Sequence, residues 1–113
     1  MANGAIQALT NKNLQGKVVV TGQDADLLGC QNIVKGFQSL TVYKPSSALS
    51  KASMEAAFAL IEGKEVETNS VMDNGYKDVP TIALESFAVD KDNIDDTIIA
   101  DGYQTKEEVY ENE

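Results

Sequence analysis

The 113-residue sequence predicts an α/β fold: a parallel sheet with helices on its faces. Two short apolar runs, at 17–22 and 40–43, alternate with three longer segments of helical period. Glycine follows each of those three segments. Strands separated by helices of this length pair in parallel, because the helix carries the chain back across the sheet.

The first helix is predicted over 2–14, where Ala5, Ile6, Ala8, Leu9 and Leu14 fall along one stripe and Gly16 suits the exit. "KVVVTG" follows as a strand, its three valines reading as buried on both faces. A helix over 26–35 turns Leu27, Leu28, Ile33 and Val34 inward and stops at Gly36. The second strand is "LTVY", ended by Pro45, which has no N–H for a ladder. Ser46 or Ser47 can cap a third helix over 48–62, and Gly63 terminates it. Met54, Ala57, Phe58 and Ile61 recur at helical spacing and predict its buried face, where Met54 and Phe58 serve core packing.

Beyond Gly63 the pattern changes. Asp73-Asn74-Gly75 marks a turn between two extended stretches. Another strand is expected after Pro80, marked by Ile82, Leu84 and Phe87. A short capped helix is predicted near 95–100. In "TKEEVYENE", Thr105 stands three residues before Glu108 as a capping box, and the end of that segment is expected to fray.

Composition narrows the function. With 42% hydrophobic and 24% charged residues the chain is ordinary for a globular protein, one domain or one piece of a larger one. The net charge of −9 is concentrated after residue 84, where ten acids face two lysines. Such a segment solvates a surface and repels phosphate backbones and anionic membranes, so nucleic-acid binding is not expected. Cys30 is the one cysteine, which excludes an internal disulfide and suits a small core hydrophobe. No stretch approaches the roughly 20 apolar residues of a membrane helix. No secretory leader opens the chain, which by itself predicts a cytoplasmic protein.

Catalysis finds little support. Histidine is absent, and no nucleophile elbow, Cys-x-x-Cys, zinc or phosphate-loop pattern occurs. Asp24 and Asp26 come from one loop with no evident nucleophile, so an acid–base pair ranks last. "DAD" lacks the glycine and the further oxygen ligands of a calcium hand. No cofactor or metal is expected.

A binding role asks less. In parallel sheets, ligands sit at the carboxyl ends of the strands. Asp24 and Lys44 follow two successive strand ends. A carboxylate accepts hydrogen bonds and an ammonium donates them, a combination suited to a neutral polyhydroxyl ligand. The plain alternative is that Asp24 caps the next helix or joins a surface ion pair, and residue chemistry alone favours it.

"GAIQAL", "GQDAD", "VKGFQSLTVYKP" and "NGYKDVP", in this order and spacing, change that balance. From residue 2 to about 102 the chain resembles the C-terminal part of the D-xylose-binding proteins. That family belongs to the sugar-binding type I periplasmic solute-binding proteins, which serve ABC importers or hand sugar to sensors. The resemblance implies a Rossmann-like, partial C-terminal lobe, with residues of about 66–95 including hinge or crossover segments. It also implies sugar contacts at Asp24 and Lys44, with Gln23 beside them, and leaves Asp26 to start and cap the next helix. Relatives carry an Asn-Asp pair just before the first helix here, and their arginines and stacking aromatics come from the N-terminal half. This chain contains no Arg or Trp. The implied partners are D-xylose, the N-terminal lobe of the same protein, and an ABC permease or sensor kinase, in an extracytoplasmic setting. A copy standing alone would expose its interlobe surface and self-associate.

Overall fold

A computed structural model describes residues 1–111. The expected fraying at the chain end falls on Asn112 and Glu113, outside the described residues. Two compact units are present: Met1–Tyr43 with the described part of Phe87–Glu113, and Lys44–Ser86.

The first unit opens with α1 (Ala2–Thr10), four residues shorter than predicted, of which Ile6 alone is buried. The strand β1 is confined to Thr21–Gln23. It pairs in parallel with β2 (Leu40–Tyr43), placing Thr21 opposite Leu40 and Gln23 opposite Val42. On the other side of β2, β5 (Phe87–Val89) runs antiparallel, making the sheet mixed with β2 at its centre.

The valine run does not form the doubly buried strand its composition predicts. Val18 and Val19 are 44% and 79% exposed. As an edge strand β1 has a neighbour on one side only, and the valines lie in the approach before its first residue, Thr21. An apolar run becomes a buried strand only where something packs on both faces.

Between β1 and β2 lies α2 (Leu27–Val34), started as expected by Asp26, whose Oδ1 accepts the Gly29 N–H at 2.8 Å. The core gathers Ala25, Cys30, Ile33 and Val34 from this region. Against them pack Tyr43, Val89, Ile94, Ile98 and Val109. Each fully buried Ile or Val contributes about 1.5–3 kcal/mol. Leu28, predicted to face inward, is half exposed. The helical period sets it about 100° from Leu27, off the stripe that Leu27, Cys30 and Val34 share. Lys91 Nζ reaches back to the Val34 carbonyl at 2.9 Å and satisfies an open acceptor at the C-terminal end of α2.

The segment after β5 carries a π-helical turn, Asp95–Ile99, with no side-chain cap where one was expected. It is followed by α4 (Lys106–Tyr110). Thr105 caps α4 through the Glu108 N–H as predicted, while the Glu108 carboxylate accepts from the Thr105 hydroxyl at 2.6 Å where a full capping box would use the Thr105 N–H. Lys106 and Tyr110 both bond Asp95, holding that carboxyl below its ordinary range.

The second unit pairs α3 (Ser46–Ile61) with the antiparallel hairpin β3 (Ser70–Asp73) and β4 (Asp78–Thr81). The predicted turn closes the hairpin: Asp73 accepts from Gly75 N–H, Asn74 accepts from Tyr76 and Lys77, and Gly75 takes φ 81°. Pro80 lies inside β4 rather than before a strand, which a two-stranded ribbon tolerates on its open edge. Neither serine caps α3; Pro45 holds the cap position without a side-chain bond. Met54, Phe58 and Ile61 are exposed, against the prediction of a buried face. This helix is apolar on two sides. Leu49, Ala52, Ala56 and Leu60 line a groove shared with Pro80, Ile82 and Leu84, yet Leu49 and Leu60 are themselves exposed and α3 buries no residue on either side.

Candidate functional site

The site begins with the way β1 ends. Gln23 is the last strand residue, and the Asp24 N–H still bonds the Val42 carbonyl at 2.9 Å. The chain then turns through two consecutive left-handed residues, Asp24 at φ 77° and Ala25 at φ 49°. Aspartate tolerates this region because its short side chain can bond locally; alanine has no such compensation. Each left-handed non-glycine residue costs on the order of 1–2 kcal/mol. The surroundings must therefore hold the loop, and they do: Ala25 is 1% exposed and its N–H bonds the hydroxyl of buried Thr41 at 3.2 Å.

This turn brings Asp24 and Gln23 into one cavity of about 500 Å³, within the usual range for small-molecule sites. Asn3, Asp26 and Gln38 also reach it. Gln23 Nε2 lies 3.4 Å from Asp24 Oδ1. Asp26 is committed elsewhere, its Oδ1 to the cap and its Oδ2 to Asn3 Nδ2 at 2.9 Å. Asn3 Oδ1 in turn accepts from buried Asn32 at 3.2 Å. Both acids of "DAD" thus line the cavity, and they differ in that Asp26 also caps α2 and holds Asn3.

Gln38 was not singled out in the sequence. It is 3% exposed, its Nε2 bonds the Leu40 carbonyl, and its Oε1 meets no partner among the described residues. It packs so closely on Gly22 that a Cβ there would stand 2.5 Å from Nε2. A glutamine before a strand carries no signal of this role.

Lys44 opens the second unit, directly after Tyr43 of β2, and lines a cavity of about 250 Å³ with Pro45, Leu49, Ile82 and Glu85. The larger groove of that unit, about 830 Å³, is mainly apolar. Among the described residues no three acidic or cysteine side chains converge to hold a metal ion. Cys30 is buried, and burial followed by the Asp26 charge pushes its thiol up to about 11, away from nucleophilic use at neutral pH.

The arrangement offers a carboxylate, amides and a roomy polar cavity, which is equipment for hydrogen-bonding a neutral ligand. The family model described as a periplasmic binding protein domain matches residues 1–65. The D-xylose-binding periplasmic protein of Haemophilus influenzae is 48% identical over 109 residues, 96% of this chain and 33% of its own length. Its Escherichia coli counterpart is 45% identical over 108 residues, with the same coverage of 96% and 33%. Among solved structures, an ABC transporter solute binding protein from Clostridium phytofermentans with bound β-D-glucose superposes with a TM-score of 0.81. It is 28% identical and the match covers 96% of this chain and 34% of that one. The chain spans about a third of the length of the curated relatives it matches.

Proposed function

Because the chain belongs to the periplasmic binding protein domain family, we propose that it recognises a monosaccharide, D-xylose first, as one part of an extracytoplasmic solute-binding protein. Asp24 carries this proposal: a carboxylate on a strained, well-held loop at the C-terminal end of a parallel strand, lining a polar cavity. Two relatives 45–48% identical over nearly the whole chain are named for D-xylose binding, which supports the choice of sugar. They are named as binding proteins, in keeping with recognition rather than catalysis.

Asp24 accepts sugar hydroxyls, Gln23 lies alongside, and Lys44 donates from the end of the next strand. Residues of about 66–95 include the hinge or crossover segments between lobes. The N-terminal lobe of the same protein supplies the other half, and the closed pair passes its sugar to an ABC permease or a sensor kinase. Half a site binds weakly. Two charged hydrogen bonds at about 1.5–3 kcal/mol each are largely offset by an association cost of about 4 kcal/mol or more, which leaves at most about 2 kcal/mol, an affinity in the tens of millimolar or weaker.

Titration of the chain with D-xylose, followed by amide chemical shifts, tests this. Saturable shifts at residues 22–26 with a Kd in the tens of millimolar are expected. Submicromolar binding contradicts the half-site, and a response that avoids residues 22–26 removes Asp24 from it.

A second role, self-association, draws on the exposed apolar side chains. Leu60 and Ile61 are exposed side by side in α3, at 68% and 80%, and Val71 and Met72 side by side in β3; contiguous exposed apolar side chains mark interaction surfaces. Light scattering over a wide concentration range decides; a constant monomer mass rejects it.

A further inference from the structure

The acidic segment near the chain end does more than solvate a surface. Gln104 Nε2 donates to the Ala25 carbonyl at 3.2 Å and the Tyr103 hydroxyl to the Asp24 carbonyl at 3.4 Å, both across 79 residues of sequence. These are the two carbonyls of the left-handed pair. The same turn is fastened to β2. Tyr43 OH donates to Asp101 Oδ2 at 3.1 Å, and the Tyr43 and Tyr103 rings lie 5.2 Å apart, tilted by 44°. Gly102, at φ 68°, lets the chain reverse between these contacts.

We propose that the turn at 101–104 is the positioning element of the Asp24 site, with Gln104 as its principal residue; this rests on the sugar-binding role proposed for Asp24. Two consecutive left-handed non-glycine residues persist only where surrounding bonds over-determine them. Here the N–H groups of Asp24 and Ala25 are held by β2, from the Val42 carbonyl and the Thr41 hydroxyl. The carbonyl side is held by the turn, with the Cys30 thiol adding a weaker bond to the Ala25 carbonyl at 3.4 Å. Releasing it lets the loop relax toward negative φ, which swings the Asp24 carboxylate and lowers the fraction of chains ready to bind. Apparent affinity falls with that fraction. Gln104 touches no sugar in this account; it acts through the backbone that presents Asp24.

The experiment combines Gln104→Ala with Ala25→Gly in the 113-residue chain and reads two quantities. One is the D-xylose Kd from amide shifts; the other is the φ-reporting backbone coupling at Asp24 and Ala25, measured without sugar. Gln104→Ala is expected to weaken D-xylose roughly three- to tenfold, the effect of one lost hydrogen bond, and to shift both couplings. Ala25→Gly adopts left-handed φ without strain and should restore most of the affinity in the double variant. A purely structural role for Gln104 predicts no such rescue, and its absence overturns the proposal. Should Gln104→Ala fail to fold, Gln104→Glu keeps the volume while removing the donor, with the same two readouts. No xylose response in the unsubstituted chain refutes the sugar role instead. The couplings then still decide the clamp: if Gln104→Ala or Gln104→Glu leaves them unchanged, Gln104 does not hold the loop.

Discussion

Asp26→Ala removes two contacts at once and leaves the proposed ligand group in place. The first is the N-cap of α2, with Oδ1 on the Gly29 N–H at 2.8 Å; losing such a cap costs about 1 kcal/mol. The second is the bond from Asn3 Nδ2 at 2.9 Å, on an exposed face, which adds about 0.5–1 kcal/mol. Asn3 also accepts from buried Asn32, so losing its anchor frees a pair rather than a single side chain. The sum is about 1.5–2 kcal/mol. With a urea slope of about 1–3 kcal/mol/M, the unfolding midpoint should fall by roughly 1 M. Urea titration by circular dichroism provides the measurement, with Asp26→Asn as the companion. Asparagine caps as well as aspartate but its NH2 cannot accept from Asn3 Nδ2, so that variant should lose only the second contact, about 0.5–1 kcal/mol, and retain D-xylose affinity. Asp24→Asn should do the opposite, keeping stability because asparagine tolerates left-handed φ, and losing about tenfold or more in affinity. If Asp26→Ala leaves the midpoint unmoved, or Asp26→Asn weakens sugar as much as Asp24→Asn, the separation of the two acids is wrong.

Gly22→Ala should destabilise the chain by about 1–2 kcal/mol, because its Cβ would meet Gln38 Nε2 at 2.5 Å and that buried amide cannot swing away without losing the Leu40 carbonyl. Gly4→Ala, with nothing within 4 Å, sits in α1 and should instead stabilise by about 0.5–1 kcal/mol; thermal melts of the two variants in opposite directions are the expected result, and a shared direction refutes the packing. Stability should also fall on the alkaline side. Burial, then the hydrogen bond to Asp101, pushes Tyr43 up to about 12 from an ordinary 10.0, and Cys30 rises to about 11 from 9.0. In both groups the folded state holds its proton more tightly, so their contribution is complete below pH 9 and is lost as pH rises toward 12. Urea midpoints between pH 8 and 11 check this, and a midpoint that rises over that range contradicts it.

Much of the local structure was legible from short-range patterns. Asp73-Asn74-Gly75 closed its hairpin, Thr105 capped α4 through Glu108, and Asp26 took the α2 cap, because each involves groups within four residues of one another. The order of helices and strands followed from periodicity, and the parallel pairing of β1 and β2 from the helix between them. Burial was less legible. Met54, Phe58 and Ile61 have a faultless helical spacing, yet α3 buries no residue, because periodicity marks an apolar face without supplying the layer that would cover it. Val18 and Val19 look like interior strand residues, yet they lie before β1 starts, outside the sheet.

The candidate site divides the same way. The sequence by itself determined that an acid follows β1 and a lysine follows β2, since chain order and strand direction suffice for that. The tertiary structure alone decided that Asp24 stands in a left-handed turn whose carbonyls are gripped by Tyr103 and Gln104, and that Gln38 backs Gly22. Those contacts join segments up to 79 residues apart. No local propensity encodes them, because they exist only once the sheet, α2 and the C-terminal turn have packed around a common core.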